Sequence, residues 1–335
     1  MPRLVDRVPH VEADRLIAEL VAPPRFAAES FATYLPDPDQ PTQAAAVAGL
    51  HAFAAQLNAP SPTTRSWFRR PAPPEGRAGI YLDGGFGVGK THLLAALWHE
   101  SPQPRAFGTF VEYTHLVGAL GFASTVEALS GHTLVCIDEF ELDDPGDTVL
   151  MSTLLNRLVD AGVRLAATSN TLPDRLGEGR FAADDFLREI QGLAAHFDVY
   201  RIDGEDYRHR GLPQAPAPLP EAVVVAAAGA GWLDAFPHLM DHLARVHPSR
   251  FGALLDGIDR VHLTDVRQLT DQADALRLVV LADRLYDRDI PVVASGVPLD
   301  QVFGADMLRG GYRKKYFRAI SRLVALAREG AGLSE

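Results

Sequence analysis

A glycine-rich stretch that ends in lysine and threonine carries the clearest chemistry in this sequence. It reads Gly84-Gly85-Phe86-Gly87-Val88-Gly89-Lys90-Thr91, the spacing G-x-x-x-x-G-K-T. Glycines at these positions let backbone N–H groups curl around a β-phosphate, a lysine reaches the β- and γ-phosphates, and a threonine hydroxyl reaches Mg²⁺. The stretch is therefore a predicted Walker A phosphate loop for a nucleoside triphosphate, with Thr91 as a Mg²⁺ ligand.

Two adjacent carboxylates close a second apolar run further along the chain. Asp138 and Glu139 follow the run 133–137, which has the composition of a buried strand. At the end of a strand, Asp138 suits the Mg²⁺ shell, directly or through water, and Glu139 can polarise the water that attacks a γ-phosphate. An acidic pair beside a phosphate loop favours hydrolysis over binding alone, so we expect an ATPase.

A polar side chain ends a third apolar run. Asn170 follows the run 165–169, one strand and one helix after the acidic pair in the predicted order. Because ligands of parallel α/β sheets lie at the carboxyl ends of the strands, Asn170 can hydrogen-bond the attacking water or the γ-phosphate. This is the place that sensor 1 occupies in the AAA+ class.

These side chains have to be positioned by alternating strands and helices. Strand-like runs occupy 77–83, 106–112, 133–138, 163–168 and 197–202, and then 261–266 and 290–294. Helical periodicity marks 43–57, 274–286 and a basic stretch over 309–328. The pattern predicts an α/β fold, namely a P-loop NTPase core of the AAA+ type with a parallel sheet, an N-terminal helical segment and a C-terminal α+β or helical region.

Two proline-rich stretches divide the chain. The first, 60–74, contains a basic and aromatic string at 65–70, for which an exposed connector and a partner or nucleic-acid patch both stay open. The second, 212–220, predicts an extended linker. The expected domains are an N-terminal helical segment with its linker over 1–75, an ATPase core over 76–211, a linker over 212–222 and a C-terminal region over 223–335.

Composition and charge narrow the class of protein. The formal net charge is −11, so the surface as a whole repels nucleic acid and anionic membranes. The first residues lack the apolar core of a signal peptide, and the most apolar run, 222–233, is too short to span a bilayer. The single cysteine, Cys136, fits a reducing compartment. We expect a cytoplasmic protein for which a peripheral membrane contact stays open and nucleic acid is not an expected partner.

Several further motifs occur in an order that is typical of one family. They are Q-x-x-A-V-x-x-L from Gln43, C-x-D-E-F from Cys136 followed by Asp144 and Asp147, T-S-N-x-x-P-x-x-L from Thr168, D-Y-R from Asp206, and Arg277, Asp283, Tyr286, Phe317, Arg318 and Ser321-Arg322-Leu323. Over most of the chain they resemble the ZapE-type cell-division ATPases of bacteria and their mitochondrial relatives. The resemblance implies an oligomeric, Mg²⁺-dependent AAA+ ATPase that remodels a protein partner, such as a division-machinery component, with Gln43 in the ATP site.

The resemblance also implies two arginine roles. In a homo-oligomer, a neighbouring subunit would insert an arginine finger at the γ-phosphate. Because Ala183 stands where the family usually carries an arginine, we expect the finger to be Arg180 or Arg188. Arg322, on the C-terminal helix, is the candidate for sensor 2, with Arg318 as the alternative.

A second interpretation stays open. The run from Gly87 to Leu93, G-x-G-K-T-H-L, is also similar to the phosphate loop of DNA-replication AAA+ proteins of the helicase-loader or initiator type. The acidic net charge and the lack of a recognisable DNA-binding module disfavour this alternative. A GTPase is disfavoured because the chain contains no N-K-x-D base-reading motif.

Overall fold

The computed structural model describes residues 1–9, 13–59, 77–85, 87–141, 145–173, 187–204, 214–229 and 231–332. The chain forms two compact units. The core unit consists of Ala13–Ala22 and Phe26–Tyr207, and the C-terminal unit consists of Met1–Glu12, Pro23–Arg25 and Arg208–Glu335. The segment expected as one N-terminal domain, 1–75, is therefore shared between the two units.

Strands and helices alternate through the core unit. Its strands are β1 (Gly79–Gly84), β2 (Arg105–Thr109), β3 (Leu134–Asp138), β4 (Arg164–Ser169) and β5 (Phe197–Ile202). Its helices are α1 (Ala13–Ala18), α2 (Pro41–Asn58), α3 (Lys90–Glu100), α4 (Phe110–Leu120), α5 (Phe122–Leu129), α6 (Pro145–Asp160) and α7 (Leu187–Ala194). Each of the first five strand-like runs of the sequence overlaps one of these strands.

The core sheet confirms the predicted parallel architecture. Within the described residues it has five parallel strands in the order β2-β3-β4-β1-β5. In β1, Gly79 lies opposite Leu165 of β4 on one side and Phe197 of β5 on the other. Because the strands all run in one direction, the strand ends that carry the phosphate loop, the acidic pair and Asn170 share one edge of the sheet.

Apolar clusters cover the two faces of this sheet. Tyr81 and Ile137 belong to one cluster, while Leu82 and Cys136 belong to the other, as the two-residue period of a strand requires. Both β1 and β3 are apolar and buried over nearly their whole length, which is the pattern of a parallel sheet packed on both faces. Burial raises the pKa of the Cys136 thiol well above its ordinary value, so this side chain packs as a small apolar group.

The second strand ends earlier than the sequence predicts. Strand-like residues continue to Glu112, but α4 begins at Phe110 because Thr109 and Glu112 form a capping box. The Glu112 backbone N–H donates to the Thr109 hydroxyl at 3.3 Å, and the Thr109 N–H donates to the Glu112 carboxylate at 2.6 Å. Two N–H groups at the helix end are satisfied in this way, which favours a helix over continued strand.

The C-terminal unit also alternates strands with helices. Its strands are β6 (Trp232–Ala235), β7 (Val261–Val266) and β8 (Val292–Gly296), and its helices are α8 (Glu221–Ala228), α9 (Phe236–Leu243), α10 (Phe251–Leu254), α11 (Gln272–Asp287) and α12 (Arg313–Gly332). Among the described residues the three strands form a parallel sheet in the order β6-β7-β8. The region expected to be α+β or helical therefore has a small α/β layer, and the predicted basic helix is α12.

The C-terminal unit repeats half of the topology of the core unit. The order β6-α9-α10-β7-α11-β8 corresponds to β2-α4-α5-β3-α6-β4, and each set of three strands is parallel and sequentially adjacent. Asp265 near the end of β7 has a φ of +55°, and Glu139 directly after β3 has the same value. The Asp265 N–H donates to the Ser295 hydroxyl of β8 at 3.3 Å, as the Glu139 N–H donates to the Thr168 hydroxyl of β4 at 3.0 Å. The repeated half of the core unit contains the acidic pair at the end of β3, but it does not contain β1 and the phosphate loop.

The predicted proline-rich linker contacts the C-terminal unit. The Leu219 N–H donates to the Ala294 carbonyl oxygen of β8 at 3.0 Å. The Arg328 guanidinium of α12 donates to the Gln214 carbonyl oxygen at 3.1 Å. Residues 214–219 therefore lie along this unit in an irregular path that ends where α8 begins.

Candidate nucleotide-binding and hydrolysis site

The predicted phosphate loop joins β1 to α3 at the carboxyl edge of the core sheet. Gly87 and Gly89 have φ values of +79° and +86°, in the left-handed region that favours glycine. A Cβ atom on Gly84 would lie 2.4 Å from the carbonyl oxygen of Ile202, so β5 leaves no room for a side chain there. Because α3 begins at Lys90, its N-terminal N–H groups and positive helix end adjoin the loop, which suits an anion.

The lysine of the loop and the predicted sensor side chain lie next to each other. The Lys90 Nζ donates hydrogen bonds to the carbonyl oxygens of Gly84 at 2.9 Å and Gly85 at 2.5 Å. It also donates to the Asn170 Oδ1 at 2.8 Å. Asn170 follows β4, and β4 pairs directly with β1, so the strand order brings the two side chains together.

The two groups predicted to hold Mg²⁺ are also neighbours. The Thr91 hydroxyl lies 3.2 Å from Oδ1 and 3.0 Å from Oδ2 of Asp138. Asp138 is only 3% exposed. In the part of the chain that the structure describes, no group of three or more His, Cys, Asp or Glu residues could hold a metal ion. Protein Mg²⁺ sites commonly use one or two carboxylates with phosphate oxygens and waters, so this donor set fits Mg²⁺ bound together with a nucleotide.

The Thr168 hydroxyl holds the acidic pair in place. It donates a hydrogen bond to the Asp138 carboxylate and accepts one from the Glu139 backbone N–H at 3.0 Å. The Thr168 carbonyl oxygen also accepts the Phe140 N–H at 2.7 Å. Thr168 is 1% exposed in β4, so a buried residue of the neighbouring strand fixes the turn at the end of β3.

Glu139 lies in a strained turn at this edge. Its φ of +55° falls in the left-handed region, where a residue other than glycine costs on the order of 1–3 kcal/mol. The next residue, Phe140, is fully buried and packs edge-to-face against Tyr81 and Phe110. Because Phe140 and Thr168 hold the turn from both sides, the half-buried Glu139 side chain is presented at the carboxyl edge of the sheet.

A family model for AFG1-like ATPases matches residues 10–228 and 222–331, which together cover most of both units. The chain belongs to the AFG1-like ATPase family. It is therefore an ATPase, as the phosphate loop and the acidic pair predict.

Similar proteins agree with this assignment. The AFG1-like chain is 29% identical over 298 residues to the cell division protein ZapE of Escherichia coli strain K12. The match covers 75% of this chain and 78% of ZapE. It is 25% identical over 174 residues to lactation elevated protein 1 homolog B of Danio rerio, and this match covers 44% of this chain and 33% of that protein. The predicted resemblance to ZapE-type ATPases is confirmed.

Solved structures give more distant likenesses. DnaI matches with a TM-score of 0.40 and 18% identity, over 54% of this AFG1-like chain and 93% of DnaI. Domain III of the replication initiation protein DnaA of Thermotoga maritima matches with a TM-score of 0.38 and 15% identity, over 78% of this chain and 89% of that domain. Likenesses at this level carry no conclusion about function.

Gln43 of this AFG1-like ATPase has both ends of its amide engaged. Its Nε2 donates to the Asp203 carbonyl oxygen at 2.8 Å, and its Oε1 accepts the Asp37 N–H at 2.8 Å. A Cβ atom on Gly204 would lie 2.9 Å from a Val88 methyl carbon and 3.3 Å from the Gln43 Nε2, so the amide lies close behind the loop. A role for Gln43 in nucleotide binding stays a prediction, and this geometry favours an indirect one.

The structure describes only part of the predicted motif set. Arg188, one of the two candidate fingers, is exposed in the first turn of α7. The other residues with predicted roles or family matches that lie outside the described residues are Arg180, Phe86, Asp144, Leu176, the string 65–70 and the D-Y-R motif at 206–208.

The two candidates for sensor 2 share a carboxylate in the C-terminal unit. Arg318 and Arg322 both pair with Asp283, and the Arg318 Nη2 lies 2.9 Å from its Oδ2. The Arg322 guanidinium also lies 5.3 Å from the centre of the Tyr286 ring. Burial alone would raise the pKa of Asp283, but the charges of the two arginines outweigh it and lower the pKa. A sensor-2 role for either arginine stays a prediction.

Sequence reasoning missed two groups beside the loop. Asp83 lies near the end of β1, directly before the loop. Burial raises the pKa of Asp83, although Arg201, 3.6 Å away, and Lys90 act to lower it. A carboxylate that closes an apolar run just before the loop was a signal that could have identified it. Tyr34 also contacts the loop, and nothing in its sequence neighbourhood indicates this, because the contact depends on the path of the chain before α2.

Proposed function

We propose that this AFG1-like ATPase hydrolyses Mg²⁺-ATP at the carboxyl edge of the core sheet and uses the energy to remodel a protein partner. The observation that carries the proposal is the convergence of side chains from the start of α3 and from the ends of β3 and β4. Lys90 contacts Asn170, and Thr91 contacts Asp138, whose neighbour Glu139 is held by the same Thr168 hydroxyl. A phosphate cation, metal ligands, a water-directing carboxylate and a γ-phosphate sensor are the set that ATP hydrolysis needs.

Each side chain has one proposed task. Lys90 neutralises the β- and γ-phosphates, and the backbone from Gly84 to Gly89 wraps the β-phosphate. Glu139 accepts hydrogen bonds from the attacking water and orients it, while Asn170 contacts that water or the γ-phosphate. In the structure Lys90 bonds to Gly84, Gly85 and Asn170, so bound phosphates would replace part of this set.

Thr91 and Asp138 would hold Mg²⁺, because a hydroxyl and a carboxylate lie together beside the loop. When bound, the ion supplies positive charge that offsets the charge on the β- and γ-phosphate oxygens. Asp138 also accepts the Thr168 hydroxyl, which fixes the orientation of the carboxylate and so orients a metal ligand.

The proposed ATPase acts on a partner protein and works as an assembly of its own subunits. The relative ZapE is named as a cell division protein, and we propose a division-machinery protein as the partner and a homo-oligomer as the active form. In that assembly Arg180 or Arg188 would act at the site of a neighbouring subunit. We place the protein in the cytoplasm because its single cysteine can form no intrachain disulfide, which fits a reducing compartment. No helix in the described ranges is long and apolar enough to cross a membrane.

The proposal is tested by two substitutions that separate binding from hydrolysis. We expect Lys90→Ala to weaken ATP binding by about 10- to 100-fold, because it removes a charged hydrogen-bond donor to the phosphates. We expect Glu139→Gln to bind ATP like the wild type and to lower kcat by about 10²- to 10⁴-fold, because it removes the carboxylate that directs water. The measurements are ATP titration by calorimetry and steady-state phosphate release.

The core unit offers a matched control for the second substitution. Glu127, at an exposed position in α5, is replaced by glutamine, which makes the same chemical change as Glu139→Gln and should leave both measurements unchanged. Wild-type turnover in Glu139→Gln would show that another group directs the water. Hydrolysis measured with division proteins and with DNA tests the partner, and stimulation by DNA alone would contradict the proposed protein partner.

A further inference from the structure

A segment before α2, Phe26–Tyr34, lies against the helix that carries the phosphate loop. We call it the latch segment. The His99 Nε2 lies 3.0 Å from the Phe26 carbonyl oxygen, and the His92 Nε2 lies 2.9 Å from the Ser30 carbonyl oxygen. Both histidines lie on α3, two turns apart on one face, so the latch segment follows this helix toward its N-terminal end.

The latch segment is anchored independently of its last residue. Phe31 is 4% exposed and belongs to the cluster that contains Leu50 and Phe53 of α2. Its ring lies 4.3 Å from the His51 ring, measured between centroids. Because Phe31 and the two histidines of α3 hold the segment, the hydroxyl of Tyr34 is not needed to keep it in place.

Tyr34, the last residue of the latch segment, contacts the loop itself. Its hydroxyl donates to the Val88 carbonyl oxygen at 2.9 Å. Its ring covers Gly89, since a Cβ atom on Gly89 would lie 2.5 Å from the ring carbon Cε2. Burial raises the pKa of the Tyr34 hydroxyl, so it stays protonated as a donor at neutral pH.

The Val88 carbonyl and the Gly89 N–H belong to one peptide plane. The bond is not among the cis peptides of the described chain, and in a trans peptide the C=O and the following N–H point in opposite directions. With the carbonyl directed at Tyr34, the Gly89 N–H points away from the latch segment. Phosphate loops bind phosphate through inward N–H groups, and glycine at φ +86° gives little resistance to a flip of this plane.

We propose that Tyr34 is a positioning residue that holds the Val88–Gly89 peptide with its N–H turned toward the bound phosphates. The inference rests on the phosphate-loop site of the proposed function. Without the hydroxyl, the plane also populates the flipped orientation, in which a carbonyl oxygen faces the phosphates. The fraction of loops that can bind ATP then falls, and the apparent Kd rises in proportion.

The test is Tyr34→Phe, which keeps the ring over Gly89 and removes only the hydroxyl. We expect the Kd and KM for ATP and the Kd for ADP to rise about three- to tenfold, the effect of one neutral hydrogen bond. We expect kcat to change by less than about twofold, because the loop binds ground state and transition state alike. AMP, which lacks the β-phosphate, should compete equally well for both proteins.

The control is Tyr200→Phe, which makes the same change in β5, where the ring packs against Gly49 of α2. It should leave nucleotide affinity at the wild-type value. An unchanged Kd for ATP in Tyr34→Phe overturns the proposal, and so does an equal loss of affinity for AMP. Lys90→Ala in the same titration tests the site itself: a wild-type Kd there refutes the phosphate-loop site, whereas a wild-type Kd in Tyr34→Phe alone refutes only the role of Tyr34.

Discussion

Replacing Thr168 by valine removes the hydroxyl that connects the two catalytic carboxylate positions and keeps nearly the same shape. Thr168 is 1% exposed, so water cannot replace the lost partner. The Glu139 N–H loses its acceptor at 3.0 Å, and the Asp138 carboxylate loses one donor while it keeps the Thr91 hydroxyl. We expect a folded protein that binds ATP but hydrolyses it slowly.

The magnitude follows from the two lost bonds. A buried N–H left without a partner costs about 1–3 kcal/mol, and a hydrogen bond to a charged group contributes about 1.5–3 kcal/mol. Valine gains some apolar burial in return, so we expect the free energy of unfolding to fall by about 2–4 kcal/mol. The strain at Glu139, on the order of 1–3 kcal/mol, is no longer held by this bond, and its carboxylate can move. A displacement of about 1 Å in a catalytic group lowers kcat by up to about 100-fold.

The assay combines denaturant unfolding with steady-state phosphate release at a temperature where circular dichroism shows the variant to be folded. Thr168→Ser keeps the hydroxyl and should retain kcat within about threefold. Ser295→Ala removes the equivalent bond, from the Asp265 N–H at 3.3 Å, in the repeated half of the C-terminal unit. Because this bond holds Asp265 and not Glu139, Ser295→Ala should leave kcat unchanged.

Two results would refute this reasoning. Wild-type kcat in a folded Thr168→Val protein would show that the Thr168 hydroxyl does not position Glu139 for hydrolysis. An equal loss of kcat in Ser295→Ala would show that a general loss of stability, and not the geometry of the acidic pair, explains the effect.

Two further predictions concern the arginines. Asp283→Asn should lower the free energy of unfolding by about 3–5 kcal/mol, because the buried guanidinium groups of Arg318 and Arg322, 11% and 14% exposed, would face a neutral amide. The control Asp306→Asn, at an exposed ion pair, should have little measurable effect. The pKa of Asp283 is lowered from 3.8 in the folded protein, so its contribution to the free energy of unfolding is present above pH 3.8 and is lost as pH falls through the folded-state pKa. Urea unfolding should therefore show that the stability of the wild type falls more steeply in acid than that of Asp283→Asn. Parallel pH profiles for the two proteins would contradict this. Mixing Lys90→Ala with a variant of the true finger, Arg180→Ala or Arg188→Ala, should restore part of the ATP hydrolysis, because the Lys90→Ala subunit can supply its finger to the intact loop of the finger variant. Full activity after both arginines are replaced, or a monomeric active species by light scattering, would exclude the shared site.

The sequence predicted the elements of the core unit because their signals are local. The apolar runs that became β1, β3, β4 and β5 are short and bounded by polar residues or turns, and the parallel order follows from the helices between them. The end of β2 was misplaced, because the capping box of Thr109 and Glu112 outweighed the strand-like composition of the residues that follow.

In the C-terminal region, local sequence signals predicted some of the strands but not how they pair. Its strands β7 and β8 overlap predicted runs, but β6 is four residues long and was not predicted. The parallel pairing of these strands, and their correspondence to β2, β3 and β4, depend on contacts between residues far apart in the chain. Sequence periodicity describes a residue and its near neighbours, so it could not distinguish an α+β arrangement from a parallel layer.

The sequence by itself determined which groups do the chemistry. Lys90, Thr91, Asp138, Glu139 and Asn170 were identified from residue type and spacing, because phosphate and Mg²⁺ accept few kinds of partner and the loop needs a fixed pattern of glycines. Only the tertiary structure decided which other side chains hold these groups. Thr168 reaches the acidic pair from a neighbouring strand, and Tyr34 reaches the loop from a segment before α2. Such support requires only a donor or acceptor at the right distance, so many residue types at many sequence positions could supply it, and the folded chain alone selects which one does.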